Sequence, residues 1–361
     1  MPRISLQNVT MRFGDIYAVK NIDVVINDGE YLTILGPSGC GKTSLIKVIS
    51  GLWTPTEGRV IIDGKDVTDV PIEDRQIGYV FQNIALFPHM KVLKNVSYGP
   101  RMKGTPTEEG EAIAEDYLRL VNMLDRLDML PGELSGGEQQ KVSIARALAS
   151  GSKLLLLDEP LSALDARVRM DLRYEIRRLV KELGITVIHV THDQDEAMSV
   201  SDRIIVMRNG GIVESDTPMR LYRRPNNLFT AYFIGETNLM EGMVSGKDDR
   251  NIQIRLRDGT DIKVGGNRHF NINDAVVLSV RPEYVYTAKE GLSAKVVQVI
   301  YMGSYWRVVT KAKSEDMVEY NLPKYDQPPE LVEMVELVFN RKLSMVYKRP
   351  KEGIAEAVRL E

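Results

Sequence analysis

Only one cysteine, Cys40, occurs among the 361 residues. No intramolecular disulfide framework is possible, and a reducing compartment is expected. Aromatic residues are sparse at 7%, and neither sign of charge dominates: 47 Lys and Arg face 50 Asp and Glu, a formal net charge of −3. That balance supports neither a polybasic membrane anchor nor a nucleic-acid-binding surface. Apolar runs are short. The run Leu154 to Leu157 is typical, far below the roughly 20 residues that span a bilayer. The opening Met1-Pro2-Arg3-Ile4-Ser5 lacks the apolar core of a signal peptide. Disordered, collagenous, secreted and membrane-spanning classes are set aside. The expectation is a soluble, intracellular chain of two domains, at about 150 residues each.

What is present has a definite order. Residues 1–235 alternate short apolar runs with helix-period stretches, the pattern of an α/β domain. Tyr31-Leu-Thr-Ile-Leu35 reads as a buried strand, and Leu45, Ile49 and Leu52 at i, i+4, i+7 predict a helix after it. Lys153–Leu157 and Ile185–Val190 are continuous apolar runs, typical of parallel strands covered on both faces. A long helix is predicted over Leu164–Leu183, and another over Glu108–Leu127 within an inserted helical subdomain at about 88–150. From residue 236 to 361 the period changes to two. Ile252, Ile254 and Leu256, then Asp258-Gly259, then Ile262 and Val264, predict a hairpin. With further strand-like runs at Val276–Val280, Ala294–Tyr301, Trp306–Thr310 and Leu331–Tyr347, this third reads as an all-β, OB-like barrel or sandwich.

Three motifs carry chemistry. Gly36-Pro37-Ser38-Gly39-Cys40-Gly41-Lys42-Thr43, followed by Ser44, is an eight-position phosphate loop between a strand and a helix. Backbone N–H groups and the positive helix end cradle phosphates there, Lys42 adds a mobile cation, and the Thr43 hydroxyl is a Mg²⁺ ligand. Amides around Cys40 are expected to lower its thiol pKa, so a redox switch stands as the alternative to a residue that simply fits between glycines. Leu154-Leu-Leu-Leu-Asp158-Glu159 ends a strand in paired carboxylates. Asp158 suits Mg²⁺, and Glu159 suits polarising the attacking water. Ser135-Gly136-Gly137-Glu138 has the S-x-x-E spacing of a capping box, with two glycines exposing amides at a helix start: a second anion site. His189 and His192 have no cysteine partner, so zinc is not expected.

These motifs, in this order and spacing over residues 3–235, resemble the ATP-binding-cassette (ABC) transporter ATPases, within them the importer subunits of the maltose and sugar type. The resemblance implies an α/β P-loop NTPase domain working as an ATP- and Mg²⁺-dependent ATPase in a head-to-tail homodimer. Each ATP then lies between Gly36–Thr43 of one chain and Ser135–Gly137 of the other. It further implies that Phe13 stacks on adenine, with Tyr17 as the fallback. Gln82 reaches Mg²⁺ and the attacking water, Asp165 crosses the dimer interface, and His192 contacts the γ-phosphate beside Glu159 and Asp158. Two departures from the family pattern, Glu138 and Lys141, leave the glycines and Ser135 in place.

The last third resembles the regulatory, TOBE-type β-domain of these importers, through Val280-Arg281-Pro282-Glu283 and Val299–Ser304. Near-neutral charge and the lack of aromatic-basic clusters argue against oligonucleotide binding. The implied function is ATP hydrolysis at the cytoplasmic face of the membrane, driving solute import through separate permease subunits fed by an extracytoplasmic solute-binding protein. Sugar is the first expectation for the cargo, with polyamine, iron, sulfate, molybdate and phosphonate left open because importers of those solutes share these motifs. A soluble cassette in translation or DNA repair is the rival, and the single cassette without sustained heptads disfavours it.

Overall fold

The computed structural model describes residues 2–265 and 269–360, in two compact units that part after Pro218. The first unit contains strands β1 (Ile4–Phe13), β2 (Ile16–Ile26), β3 (Tyr31–Leu35), β4 (Glu57–Ile62), β5 (Lys65–Asp66), β6 (Ile77–Val80), β7 (Leu154–Asp158), β8 (Thr186–Thr191), β9 (Arg203–Arg208) and β10 (Gly211–Asp216). Its helices are α1 (Lys42–Ser50), α2 (Val92–Met102), α3 (Thr107–Leu120), α4 (Gly136–Ala149), α5 (Ala166–Leu183) and α6 (Gln194–Val200). One sheet has the order β10-β9-β3-β8-β7-β6, parallel apart from β10; the other, β2-β1-β4-β5, is antiparallel.

The four leucines of β7 explain the layering. Leu155 and Leu157 point into a core shared with α2, α3, α4 and α5, whereas Leu154 and Leu156 point into a second core with α1 and the antiparallel sheet. All four are at most 2% exposed. A strand buried on both faces must be apolar along most of its length, which is why β3, β7 and β8 read as nearly continuous apolar runs. The polar exceptions inside these strands, Thr33 and His189, are hydrogen-bonded to Ser201 and Tyr31, and loops at the C-terminal ends of parallel strands are where α/β sheets bind ligands.

The helical subdomain contains α2, α3 and the start of α4. Here α3 ends at Leu120, earlier than Leu127, because Asn122 turns the chain with φ 58°, a left-handed conformation asparagine adopts at low cost.

The second unit holds α7 (Pro218–Arg223) after its first residue, α8 (Leu228–Phe233), then β11 (Asn238–Lys247), β12 (Asn251–Leu256), β13 (Asp261–Gly265), β14 (Ala275–Val280), β15 (Val285–Ala288), β16 (Leu292–Tyr301), β17 (Tyr305–Ala312), β18 (Met317–Pro323), β19 (Met334–Phe339) and β20 (Met345–Lys348), closed by α9 (Ile354–Ala357). Two five-stranded antiparallel sheets, β13-β12-β11-β14-β20 and β15-β19-β16-β17-β18, enclose one core, to which Ile252, Ile254, Leu278, Val296, Val308 and Leu337 contribute. The predicted hairpin is β12–β13, with Ile254 opposite Ile262 and Ile252 opposite Val264. On the outer face of β14 and β20, Val277 and Tyr347 are covered by Leu228 and Ala231 of α8. The segment 219–235 thus packs within this unit.

Candidate active site

The phosphate loop leaves the end of β3 at Leu35 and enters α1 at Lys42. Gly41 is the N-cap of α1 with φ 104°, and a Cβ there would lie 2.1 Å from the Ala18 carbonyl oxygen. Only glycine combines that backbone with that approach. Gly36 and Cys40 are buried, while Ser38 and Gly39 form the exposed crest. Lys42 is 5% exposed and donates to the carbonyls of Gly36 (2.7 Å) and Pro37 (2.8 Å). Its ammonium is therefore held on the loop itself, and the open amide crest with a cation beneath it suits a phosphate chain. The expectation for Cys40 is reversed. Burial pushes the thiol pKa up and outweighs the lowering effect of Lys42, so Cys40 is a buried filler rather than a reactive thiolate.

Across the loop stands the end of β7. Asp158 is 5% exposed; its Oδ1 lies 3.4 Å from the Thr43 hydroxyl, and its Oδ2 accepts from Tyr79 at 3.1 Å. Burial raises its pKa, against the hydrogen bond from Tyr79, and the neighbouring Glu159 raises it further. A cation beside this carboxylate would relieve both effects. Glu159 leaves the strand with φ 46° and donates its backbone N–H to the Val190 carbonyl (2.9 Å). A left-handed non-glycine costs about 1–2 kcal/mol, a strain typical of functional positions. The result is convergence: Glu159 Oε2 receives Gln82 Nε2 at 3.1 Å and lies 3.2 Å from His192 Nδ1.

Ser135, Gly136 and Gly137 lie at the start of α4. Ser135 and Glu138 form the reciprocal capping box: the Glu138 N–H donates to Ser135 Oγ (3.4 Å) and the Ser135 N–H to Glu138 Oε2 (2.9 Å). The Ser135 hydroxyl also donates to that carboxylate at 2.7 Å, and hydrogen bonds from Ser135, then Arg126, hold the Glu138 pKa low. Lys141 pairs with Glu175 at 2.6 Å, so both departures are accommodated locally. A Cβ on Gly137 would meet Val168 Cγ1 at 2.7 Å. Asp165 caps α5, accepting from the Val168 N–H at 3.1 Å. Among the described residues, no hydrogen bond joins Ser135–Gly137 to the phosphate loop of the same chain.

Phe13, at the end of β1, is 46% exposed and meets Trp53 edge to face with centroids 5.1 Å apart. Tyr17 is flanked by Arg12 and Lys20. Sequence reasoning missed Tyr79, which holds Asp158; an aromatic within a strand carries no local signal of that contact. For a metal, the structure offers the Thr43 hydroxyl, the Asp158 carboxylate and the Gln82 amide, all hard donors. Among the described residues no cluster of three His, Cys, Asp or Glu could hold an ion. Few protein oxygens fit Mg²⁺, which keeps waters and phosphate oxygens in its shell.

A glycine-rich turn between strand and helix, facing paired carboxylates at the end of β7, one strand removed from β3 in the sheet, defines a P-loop nucleoside triphosphatase. Residues 19–162 match the ABC transporter family, and residues 278–346 match the TOBE domain. A spermidine/putrescine import ATP-binding protein, PotA, of Roseobacter denitrificans is 42% identical over 306 residues, covering 83% of this chain and 84% of that protein. An Fe(3+) ions import ATP-binding protein, FbpC, of Rhizobium etli is 44% identical over 329 residues, covering 89% and 92%. A dimeric ATP-binding cassette in a post-hydrolysis state bound to ADP and Pi is 35% identical, with a TM-score of 0.54, over 60% of this chain and 98% of that one. The chain belongs to the ABC transporter family, as an ATP-binding, ATP-hydrolysing subunit. Among the described residues no helix is long and apolar enough to cross a membrane.

Proposed function

We propose that the chain hydrolyses ATP with Mg²⁺ to drive solute import through separate permease subunits at the cytoplasmic face of the membrane. The observation that carries this reading is the convergence of Gln82 and His192 on Glu159, beside the Thr43–Asp158 pair. In it, the Gly36–Thr43 amides and Lys42 bind the β- and γ-phosphates, with Ser44 following in the first turn of α1. Thr43, Asp158 and Gln82 would hold a Mg²⁺, whose charge would offset that developing on the transferred phosphoryl group. Glu159 accepts the proton of the attacking water, and His192 donates to the γ-phosphate. Phe13 stacks on the adenine. Ser135, Gly136 and Gly137 of a second copy close over the γ-phosphate, and Asp165 crosses between the two copies of this homodimer.

Replacing Glu159 with Gln keeps the size and the acceptor toward Gln82 but removes the base. Hydrolysis should fall by about a hundredfold or more, with ATP binding retained and an ATP-bound dimer accumulating on a sizing column. Normal turnover by the Glu159→Gln chain contradicts the assignment.

Our reading puts the permease contact in the groove near Gln82 to Tyr98. Asn95, fully buried, accepts from the Phe87 N–H (2.8 Å) and donates to the Phe87 and Met90 carbonyls. The loop after Gln82 is thereby fixed to α2 and ready to transmit a push from a docked helix. For the cargo, the relatives named for polyamine and Fe(3+) import shift the reading away from sugar, which nothing in these comparisons supports. Polyamine uptake is the first choice and ferric iron the second, each delivered by an extracytoplasmic binding protein. Purification of the tagged chain from solubilised membranes tests the complex. Two multi-span permease chains should come with it, and vesicles of that complex should accumulate spermidine or putrescine. Accumulation of maltose instead restores the sugar reading.

A further inference from the structure

Arg169, on the first turns of α5, plays no part in the sequence motifs. Its guanidinium reaches two acceptors on different loops: one terminal nitrogen donates to the Leu164 carbonyl at 2.9 Å, the other to Asp193 Oδ2 at 3.2 Å. Each end leads to one of the sites described above. Asp193 follows His192 directly and is fixed from inside: its N–H donates to Thr191 Oγ1 (3.0 Å), and its Oδ1 accepts from the Glu196 N–H (2.9 Å). Thr191 in turn donates to the buried Glu196 carboxylate at 2.5 Å. With Thr191 and Asp193 turned inward, His192 projects outward to Glu159. At the other end, Leu164 precedes Asp165, and its Cδ2 lies 3.2 Å from where a Cβ on Gly136 would stand. The residue after the Asp165 turn that bears on Gly137 is Val168, next to Arg169 itself.

We propose that Arg169 is a positioning residue that couples two ATP sites through one protomer. This rests on the head-to-tail dimer above, in which His192 serves the chain's own ATP and Gly136 serves the ATP held by the partner subunit. Closure of the Ser135–Gly137 loop on the partner's nucleotide shifts Leu164, and the fork of Arg169 passes that shift to Asp193 and so to His192. A planar guanidinium holds two acceptors in fixed relation, whereas a lysine ammonium is a flexible point charge. Arg173 stands 3.9 Å from the same Asp193 oxygen and supplies charge there, but no Arg173 bond to Leu164 exists among the described residues. Charge alone is therefore backed up, and the link to Leu164 is not.

The test is ATP titration of hydrolysis by the full-length chain in its permease complex, for wild type, Arg169→Lys and Arg169→Gln. The wild-type complex should show a Hill coefficient above one, and both variants a coefficient near one. Maximal turnover should fall about tenfold, while the affinity of each variant for ATP and its thermal midpoint stay close to wild type. Arg169→Gln should add little in an Asp193→Asn background, because both remove the same link. An unchanged Hill coefficient, full additivity with Asp193→Asn, a non-cooperative wild type, or lost thermal stability with turnover per folded chain intact each overturn the proposal. Glu159→Gln, measured alongside, separates the two levels. Inactive Glu159→Gln with unaltered Arg169 variants removes the coupling role alone. Retained hydrolysis in Glu159→Gln removes the site assignment, and the coupling role with it.

Discussion

The two units solve the same burial problem in opposite ways, and the difference decides where their functions can be read. In β7 of the first unit every side chain is buried, with Leu154 and Leu156 to one core and Leu155 and Leu157 to the other. In β16 of the second unit, burial alternates over Leu292, Ala294 and Val296, with Lys295 exposed between them. A sheet covered on both faces has no free surface, so its chemistry gathers at strand ends, where consecutive residues form contiguous motifs. A sheet with one open face distributes any binding surface over side chains two residues apart on several strands. Parallel packing therefore writes function into short words, and antiparallel packing scatters it.

The largest expected effect tests whether a strand-end residue is separable from the fold. Lys42→Ala removes a buried cation held on the phosphate loop beneath its amide crest. Loss of a buried, hydrogen-bonded charge contact costs about 2–5 kcal/mol, so ATP affinity should weaken by about thirtyfold or more, with unfolding little affected. Equilibrium nucleotide binding checks this, and unchanged affinity breaks the assignment. Next comes a matched pair of core truncations. Leu156→Ala in β7 and Leu278→Ala in β14 each delete a fully buried leucine and should each cost about 2–5 kcal/mol in denaturant unfolding. Only Leu156→Ala should also slow hydrolysis by folded protein, by about tenfold, because it loosens the strand that aims Asp158 and Glu159. Equal effects on turnover from the two leucines would dissolve the contrast between the sheets.

The same contrast explains what was legible in the sequence. The phosphate loop, Asp158-Glu159 and Ser135–Gly137 are contiguous, and each is attached to an element whose period is plain. The hairpin of β12 and β13 was equally plain, because Asp258-Gly259 marks a turn between alternating strands. Contacts between distant elements were not legible. Tyr79 reaches Asp158 across 79 positions, and Arg169 reaches Asp193 only because α5 returns over β8. The early end of α3 rests on the left-handed backbone of Asn122, which helical periodicity does not register. The direction of the Cys40 thiol pKa was not legible, because amides and Lys42 are visible in the motif whereas the burial that outweighs them depends on neighbours far along the chain; that Cys40 fits between glycines was legible. The cargo stayed outside the sequence reading for a different reason: no residue of an ATP site touches it.

The smallest expected effect concerns the other end of the parallel sheet. At its N-terminal edge, Asp202 accepts from the Tyr31 N–H that opens β3 (2.8 Å), from Lys181 (2.7 Å) and from Arg177 (2.6 Å). Burial pushes this carboxyl upward, but the bonds from Arg177, Lys181 and Tyr31 outweigh it and hold the pKa at about 2. A carboxyl held below its unfolded value, about 3.9, binds fewer protons in the native state, so it stabilises the fold above that value. The contribution is lost as pH falls from about 4 toward 2. Asp202→Asn should therefore lower the thermal midpoint by a few degrees at neutral pH, and the gap from wild type should close as the pH approaches 2. Hydrolysis at neutral pH should be unchanged, since among the described residues no hydrogen bond joins Asp202 to the phosphate loop. A gap that stays constant from pH 7 to pH 2 would show that the packing of Asp202, rather than its charge, holds β3 and β9. Lost turnover in the folded variant would show that chemistry is not confined to the C-terminal ends of the strands.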